Sequence, residues 1–466
     1  MAEKKIDDVE IKRYPKKIIT SFQLGDLITL MTGQLFSVQF QFFYVEVIGL
    51  EITLFMIAMN LFTIFNMFND PIIGYFCDRS TKFTSKWGKR FPFIVMGAFP
   101  WAIIVLFIFI PPSVSQVGQL GVFFWLLIIQ ALMDTAFALY NINRGALFPD
   151  KFRHQEDRNW SGFIRVILET IGVVLGFIIP IFAIMELGET NGFVATGIIT
   201  SVIAIILFIF MIPGVREGPD MRERRRALDE KERVAFFSGM KEILKNKKFL
   251  GFQFFSIAYG TAMGIIMTSI PYFVEDVLHM GTEGELIVIF YVIAVILMAP
   301  LWYKLSFKIG IKKVGLIGGI CLGFMGLPML FIPTGNIGLL MAIIVLSLAG
   351  AVDGAIISML GPLNSAMIDD ASVISGKRQE GLYGSVGVFL GTISTAIRYT
   401  LTWSIWLIFG YQRGATDPTA LLGLRIQIAI FPMIIILTGV SLFWKLYSLS
   451  QEEMKDNIIK MKEMGI

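Results

Sequence analysis

A few polar side chains interrupt the long apolar stretches of this sequence, and three of them lie close together. Asn66, Asn69 and Asp70 fall within five positions, and Asp70 directly precedes Pro71. Proline has no amide hydrogen, so a helical carbonyl one turn earlier loses its partner. A carboxylate beside amide and freed backbone oxygens can bind Na⁺ or a proton. The sequence therefore predicts a cation-binding site formed by Asn66, Asn69 and Asp70.

Two other aspartates lie near the middle of apolar stretches. Asp134 precedes Asp150 by sixteen residues, and Asp353 precedes Asp369 by the same interval. A carboxylate at the centre of a bilayer costs about 3 kcal/mol on insertion scales, so each should face a partner or a cavity. We predict that Asp134 binds substrate and that Asp353 takes part in coupling or gating. The alternative for each is a structural hydrogen bond between helices.

Further polar residues could contact a solute. Arg165 and Glu169 are four residues apart and can pair along one helical face. The pair could simply neutralise itself. We favour an arrangement in which Arg165 is shared between Glu169 and a bound solute, so that Arg165 binds substrate and Glu169 takes part in coupling. Asp26, Gln34 and Asn141 add polar groups to other apolar stretches, and we predict that they also bind substrate. The alternative for Gln34 and Asn141 is a hydrogen bond between helices.

The elements that carry these residues must be membrane-spanning helices. The chain of 466 residues is 55% hydrophobic and 16% charged, with a mean hydropathy of +0.71. A soluble domain has roughly a quarter of its residues charged, and an apolar run of about 20 residues is long enough to cross a bilayer. We predict an all-α membrane protein with twelve transmembrane helices. Their approximate ranges are 19–45, 51–76, 91–111, 119–146, 160–184, 191–213, 249–274, 284–305, 311–332, 337–366, 382–409 and 424–447.

The repeated aspartate spacing indicates two similar six-helix halves, the plan of rocker-type transporters. We predict an N-terminal tail at 1–18, a first half at 19–213, a central loop at 214–248, a second half at 249–448 and a C-terminal tail at 449–466. Lys and Arg cluster in alternate loops. The positive-inside rule then places both tails and the central loop in the cytoplasm and the protein in the cell membrane as a multi-pass chain.

Several classes of protein are excluded or disfavoured. Two cysteines and two histidines lie far apart along the chain, so we expect no disulfide, metal centre or cofactor. A net charge of +4, carried in short loops, does not suggest nucleic-acid binding. No nucleotide-binding or metalloprotease motif is present, which argues against an enzyme and for transport driven by a gradient. We expect the partners to be the bilayer, a small-molecule solute and a coupling cation, and the protein to be a monomer.

Four segments carry a family resemblance. NDPIIGYFCDRSTKFTSKWGKRFPFIVMGA covers 69–98, YVEVIGL covers 44–50, MDTAFALYNINRGALFPD covers 133–150 and DDASVISGKRQEGLYGS covers 369–385. Together they resemble the glycoside–pentoside–hexuronide:cation symporters, the melibiose-permease group of the major facilitator superfamily. The resemblance extends over nearly the whole transmembrane region. It implies the major facilitator fold and symport of a sugar or glycoside with a cation by alternating access.

The resemblance assigns roles but also shows departures. The family has two acids one turn apart in span 2, and here the first is Asn66, which offers a neutral oxygen and no charge. A lone buried Asp70 suits a proton, so we rank H⁺ ahead of Na⁺ and uncoupled facilitation last. The basic loop after span 2 resembles a cytoplasmic gate. It implies that Asp78, Arg79 and Arg90 form bridges that break as the halves move, or that they only set topology.

The sugar site of the family is only partly kept. Asp134 and Arg165 match the family's aspartate and its arginine partner, whereas the span-1 aspartate aligns with Leu30 and two aromatic positions are Ala138 and Ile357. The cargo could therefore instead be an amphipathic or anionic solute, such as a lysolipid or organic acid, with Arg398 in span 11 facing the anion. A non-transporting sensor built on the same fold is a third hypothesis.

Overall fold

The computed structural model describes residues 13–78, 87–152, 154–218, 221, 240–241, 243–376 and 380–464. Within these ranges the chain is helical and contains no strand. The helices are α1 Lys16–Phe42, α2 Ile52–Asp78, α3 Phe91–Ile108, α4 Val114–Lys151, α5 and α6 within Gln155–Val215, α7 Lys247–Tyr272, α8 Ile287–Ile309, α9 Ile311–Met325, α10 Gly335–Ser375, α11 Glu380–Phe409, α12 Pro418–Leu446 and α13 Gln451–Met464. Short π-helical turns, Phe43–Val47 and Phe273–Val277, extend α1 and α7. Short 3₁₀ turns, Thr282–Leu286 and Leu327–Phe331, lie next to α8 and α9.

The predicted fold class of twelve spanning helices is confirmed. In the described part of the chain, nine helical stretches are long and apolar enough to cross a membrane, and the longest of them contains two spans. α1 and α11 carry more polar residues and complete the set. On α2, the exposed Phe68, Ile72 and Phe76 recur every four residues and form an apolar face suited to lipid.

Glycine makes the break between α5 and α6. The stretch Gln155–Val215 is helical except at Gly188, whose φ of 76° and ψ of 170° interrupt the helix. A residue with a side chain rarely adopts a positive φ, and glycine does so without cost. The loop predicted between 184 and 191 is therefore a break at a single residue. Gly118, with φ 70°, interrupts the first turn of α4 in the same way.

The chain forms two compact units. The first contains residues 1–36 and 65–232, and the second contains 37–64 and 233–466. The end of α1 and the start of α2 pack in the second unit, where the Thr268 hydroxyl donates to the Ser37 carbonyl at 3.2 Å and the Trp403 indole donates to the Thr53 hydroxyl at 3.3 Å. The compact units thus differ from the six-helix halves at 37–64, and the division of the chain at 214–248 stays a prediction.

Several helix boundaries differ from the sequence prediction, and two of them show the reason. α10 ends at Ser375 rather than near 366, because the helix continues through polar residues beyond the apolar run. The predicted tail at 449–466 contains the helix α13. Ser450 and Glu453 begin α13 as a capping box, in which the Ser450 amide donates to Glu453 at 2.7 Å and the Glu453 amide donates to the Ser450 hydroxyl at 3.2 Å. Most of the central segment lies outside the described residues.

Aromatic packing in the first unit fixes α4. The ring of Tyr140 lies 5.4 Å from that of Trp101 on α3 and 5.4 Å from that of Phe208 on α6. Gly97 of α3 lets the helices approach, because a methyl group there would lie 2.5 Å from the Ala136 carbonyl oxygen. This packing sets the position of Asp134, which lies on α4 between these contacts and the break at Gly118.

A carboxylate beyond the end of α6 caps the start of α3. Glu217 is buried and accepts hydrogen bonds from the backbone amides of Arg90 at 2.6 Å, Phe91 at 3.0 Å and Lys89 at 3.3 Å. These amides belong to a helix N-terminus, whose donors have no partner within the helix and whose dipole favours an anion. Gly88 has φ 97°, and a methyl group there would lie 2.6 Å from the Glu217 carboxyl carbon.

Candidate functional site

The centre of the candidate site is Asp134 on α4. Its two oxygens accept hydrogen bonds from two amides of α2, at 2.5 Å from Asn66 and 2.8 Å from Asn69. The Thr135 hydroxyl donates to the Asn69 side-chain oxygen at 3.3 Å. Asp134 is 7% exposed, and no basic residue among those described pairs with it. The predicted cation residues and the predicted substrate aspartate therefore form one polar cluster.

Asp70 lies next to this cluster and lacks a partner. It is half-buried, and it has no hydrogen bond or ion pair within the described ranges. It is close enough to Asp134 for the two carboxylates to repel each other. We call Asp70 and Asp134 the carboxylate pair. Helix α2 continues through Pro71, which leaves the carbonyl of Met67 without its helical donor, as the sequence predicted.

Asp26, predicted to bind substrate, forms a buried ion pair in this structure, and its role in binding solute stays a prediction. Arg144 of α4 donates to both of its oxygens, at 2.9 Å to Oδ1 and in a shorter contact to Oδ2. Arg144 also donates to Gln23 at 3.0 Å and to the Phe22 carbonyl at 3.2 Å, and its guanidinium lies 4.7 Å above the Phe22 ring. This bidentate ion pair gives Asp26 a counter-ion and holds α1 against α4.

Arg165 pairs with Glu169 along α5. The Arg165 Nε donates to Glu169 Oε1 at 2.7 Å, and the two side chains are 57% and 28% exposed. The expected Arg165 partner in the family was the span-4 aspartate, but Asp134 instead accepts from asparagine amides. The self-neutralising arrangement is therefore present in this conformation. A role for Arg165 in binding solute stays a prediction.

The remaining predicted substrate residues offer accessible polar groups. Gln34 is half-buried on α1 and Asn141 is exposed on α4, and neither side chain has a hydrogen-bond partner among the residues described. Asn141 lies seven residues after Asp134, so helical geometry places both on nearly the same face. Both amides are available to a solute.

The predicted cytoplasmic gate can be placed only in part. Arg90 donates from Nη1 to the Asn143 side-chain oxygen at 3.2 Å, and Asn143 in turn donates to the Cys77 sulfur at 3.1 Å. Arg79 and the side chain of Asp78 lie outside the described residues. Arg90 therefore joins α3 to α4, and gating by this loop stays a prediction.

Asp353 of α10 forms a second polar cluster, in the second compact unit. Its Oδ2 accepts hydrogen bonds from the hydroxyls of Tyr291 on α8 at 2.5 Å and Tyr259 on α7 at 3.2 Å. The side chain is 0% exposed, and its Oδ1 has no hydrogen-bond partner in the described structure. Gly350 packs against the Tyr291 backbone and places α10 close to α8. We call Asp353, Tyr259 and Tyr291 the aspartate–tyrosine cluster.

Sequence reasoning missed Arg144, Glu217 and the two tyrosines. Arg144 lies within a polar run, NINR, that follows the apolar part of span 4, and its charge was attributed to the loop. Glu217 sits in a segment that was read only as a linker. The tyrosines gave no separate signal, because aromatic residues are common in such spans. The one available signal was Asp353, because a carboxylate inside the membrane needs hydrogen-bond donors from neighbouring helices.

Comparison with known proteins defines the family. Residues 21–451 match the family described as MFS/sugar transport protein. The uncharacterized symporter YnaJ of Bacillus subtilis is 23% identical over 94% of this chain and 93% of its own length. The sodium-dependent lysophosphatidylcholine symporter 1 of Mus musculus is 23% identical over 96% of this chain and 90% of its own length. The isoprimeverose transporter of Lactiplantibacillus pentosus is 23% identical, with coverages of 84% and 80%.

Solved structures agree on the fold. The nucleoside transporter NupG superposes with a TM-score of 0.63 at 14% identity, covering 94% of this chain and all of its own. The three relatives and NupG are all named as transporters or symporters. The helical architecture described above is that of the major facilitator superfamily. The chain thus belongs to the MFS/sugar transport protein family, and it is a membrane transporter of the major facilitator superfamily rather than an enzyme.

Proposed function

We propose that the protein is a cation-coupled symporter that moves a small polar solute of the sugar or glycoside class together with a proton. Alternating access carries both across the cell membrane, with the two chain ends in the cytoplasm. The observation that carries the proposal is the carboxylate pair, in which, among the described residues, Asp134 accepts only from neutral amides and Asp70 has no basic partner. Two adjacent carboxylates without a basic residue need a bound cation to offset their repulsion.

A proton fits this site better than a sodium ion. Asn66 stands where the family has a second acid, and both asparagines direct amide donors at Asp134 rather than oxygens at a cation. A metal ion needs several oxygen ligands, whereas a proton needs one carboxylate oxygen. Asp70 has no hydrogen-bond or ion-pair partner among the described residues and is the group that takes the proton. Sodium dependence belongs to some relatives, such as the lysophosphatidylcholine symporter, and is the alternative outcome.

Protonation of Asp70 links cation binding to solute binding. Each Asp134 oxygen accepts one amide and keeps a lone pair for a solute hydroxyl. Neutral Asp70 removes the repulsion on Asp134, so Asp134 stays ionised and accepts those hydroxyls more strongly. Linkage then requires that solute binding favour protonation by the same factor, typically 5–150-fold. Gln34 and Asn141 supply further polar contacts for the solute.

The test is uptake into proteoliposomes under an imposed proton or sodium gradient. The panel contains isoprimeverose, a methyl pentoside and a glucuronide, and each gradient is tested alone. We expect a proton gradient to drive accumulation of one of these sugars. Asp70→Asn should abolish accumulation but keep exchange of solute across the membrane, because it mimics the protonated form. Asp134→Asn should weaken solute binding itself.

Matched variants separate the possible readings. Asn66→Asp restores the second acid of the family, and we expect it to shift coupling toward sodium. Glu186→Gln removes an exposed charge near the end of α5, outside the predicted site, and should leave the coupling ion unchanged. Sodium-driven uptake by the unaltered protein would reject the proton assignment. Failure to take up any solute of the panel, by folded protein, would favour a sensor or a different cargo.

A second candidate cargo is supported by Arg398 of α11. Its guanidinium is half-buried and lies 4.5 Å above the Tyr399 ring, but no acidic residue pairs with it among those described. Gly264 of α7 makes room for it, since a methyl group there would lie 2.5 Å from its Cδ. An unpaired cation in a membrane segment calls for an anion. This arrangement favours a solute with a carboxylate or phosphate group.

Recognition of an anionic solute by Arg398 can be tested separately. Arg398→Gln should reduce the uptake of a glucuronide or lysophosphatidylcholine while leaving the uptake of a neutral pentoside unchanged. Arg425→Gln is the matched control, because it removes a half-buried arginine that already donates to the Met329 and Leu330 carbonyls. Equal loss for charged and neutral solutes in Arg398→Gln would assign Arg398 to packing rather than to recognition.

A further inference from the structure

The aspartate–tyrosine cluster lies in the second compact unit and is not used by the carboxylate pair. Asp353 is 0% exposed, and both tyrosine hydroxyls donate to the same oxygen, Oδ2. Oδ1 is also buried, yet no donor in the described structure reaches it. A buried polar atom without a partner costs free energy, and a buried charge without a counter-ion costs more. In this cluster Asp353 Oδ1 is therefore available to bind a ligand.

No charged group near the cluster compensates an ionised Asp353. α7 contributes Tyr259 and α8 contributes Tyr291, and in the described part of the chain these are its hydrogen-bond partners. The basic residues of α8 and α9 stand toward the helix ends, and none of them pairs with Asp353 within the described ranges. These residues are Lys304, Lys308, Lys312 and Lys313. The carboxylates further along α10, Asp369 and Asp370, lie about 24 Å away along the helix axis.

The geometry also selects the ligand. A metal cation would need several converging oxygen atoms, and the cluster offers one carboxylate and two phenol groups that already donate to it. A proton needs only Oδ1. Tyr259 is half-buried and donates the longer of the two hydrogen bonds, so it lies at the less buried side of the cluster. A phenol hydroxyl can accept one proton and release another, which provides a route to Asp353.

We propose that Asp353 is a second proton-binding site, separate from the carboxylate pair, with Oδ1 as the atom that is protonated and Tyr291 and Tyr259 as the groups that hold Oδ2. Binding converts the carboxylate to a carboxylic acid by adding one proton, and no bond to carbon changes. Tyr291, with the shorter hydrogen bond, orients the carboxyl group, and Tyr259, the less buried of the two tyrosines, is the group through which a proton would pass. The inference concerns proton binding itself and requires no knowledge of the solute.

Infrared difference spectroscopy of the full protein in liposomes tests this directly. Subtracting the spectrum of Asp353→Asn from that of the unaltered protein should leave the carbonyl band of a protonated carboxyl group. We expect this band to disappear reversibly when the pH is raised, and to be unchanged when sodium replaces choline in the buffer. Asp370→Asn is the control, because Asp370 is ion-paired with Lys248 at 2.8 Å and should give no such band.

The tyrosines give a second readout that assigns the band to this cluster. Tyr291→Phe should move the band to higher frequency, because the carbonyl loses its short hydrogen bond. Tyr259→Phe should move it less, since its hydrogen bond is longer. Both variants keep Asp353 and remain informative if Asp353→Asn does not fold.

Three results would overturn the proposal. Absence of the band at every pH would mean that Asp353 is permanently ionised. A band that persists unchanged at every pH where the protein stays folded would make Asp353 a structural hydrogen-bond partner only. A band that responds to sodium would make the site a sodium site. None of these outcomes depends on uptake, so failure here is distinguishable from failure of the proposed symport.

Discussion

Replacing Asp26 with asparagine should destabilise the protein strongly without removing its specificity for solute. The substitution keeps the shape of the side chain but removes the counter-ion of Arg144 and weakens the two hydrogen bonds that Arg144 donates to it. Arg144 retains Gln23 and the Phe22 carbonyl as acceptors. Its charge, however, stays in an environment where the side chains are only 8% and 11% exposed.

The magnitude follows from that burial. Removing one partner of a buried ion pair costs about 3–5 kcal/mol, because the other charge is left uncompensated. Arg144→Gln should cost at least as much, since it also removes the contacts to Phe22. The double variant should recover part of the loss, because it leaves no isolated charge. The exposed pair of Arg165 and Glu169 is the control, and neutralising it should cost less than about 1 kcal/mol.

The assay is a double-mutant cycle on thermal or denaturant unfolding in detergent, combined with uptake in proteoliposomes. A positive coupling energy between Asp26 and Arg144 would support the structural role. The structural role would be refuted if the two substitutions changed the free energy of unfolding additively. It would also be refuted if the Asp26→Asn protein were as stable as the unaltered one but bound no solute. The second result would restore Asp26 to the substrate site that the sequence predicted.

Other predictions follow from the ends of helices. Gly88→Ala should destabilise the protein by about 1–3 kcal/mol, because it strains a positive φ and clashes with Glu217. The unfolding midpoint measures this loss. Gly145→Ala is the control and should not be destabilising, because the added methyl group there meets no atom. Ser450→Ala should weaken α13 by about 1 kcal/mol through loss of its N-cap, and faster hydrogen exchange of α13 alone would show it. The Ser450 amide, and next its hydroxyl, lower the pKa of the Glu453 carboxyl below its ordinary value of 4.5. Because the folded pKa is depressed, this contribution to α13 stability is present above pH 4.5 and is lost as the pH falls through the folded pKa, so exchange protection that stays constant to low pH would contradict it.

The helices could be predicted from the sequence because each apolar run is long enough to cross a bilayer on its own. Their ends could not, since helix geometry continues past the apolar run wherever the polar residues find partners. α10 shows this at Asp370, which accepts hydrogen bonds from Lys248 at 2.8 Å and from Asn457 at 3.1 Å. α13 was missed, although Ser450 followed three residues later by Glu453 is a capping-box signal.

The candidate site was predictable as a set of residues but not as a set of contacts. Asn66, Asn69 and Asp70 share one helical face, so their spacing alone indicated a joint site. Their pairing with Asp134 depends on which helix packs against α2, and no local pattern carries that information. The family resemblance pointed to Arg165 as the partner of Asp134, and the structure pairs Arg165 with its own helix instead. Asp353 and its tyrosines are 62 and 94 residues apart along the chain, beyond any periodicity.

The membership of residues 37–64 in the second compact unit limits how the protein can be divided experimentally. A fragment cut in the central segment would carry these residues on the N-terminal piece, while Thr268 and Trp403, to which they hydrogen-bond, would be on the other piece. The first fragment would therefore carry an apolar hairpin separated from the C-terminal helices that it packs against. Chimeras with related transporters should therefore exchange 37–64 together with the C-terminal helices. Split reporters and separately expressed halves should likewise not simply be cut in the central segment.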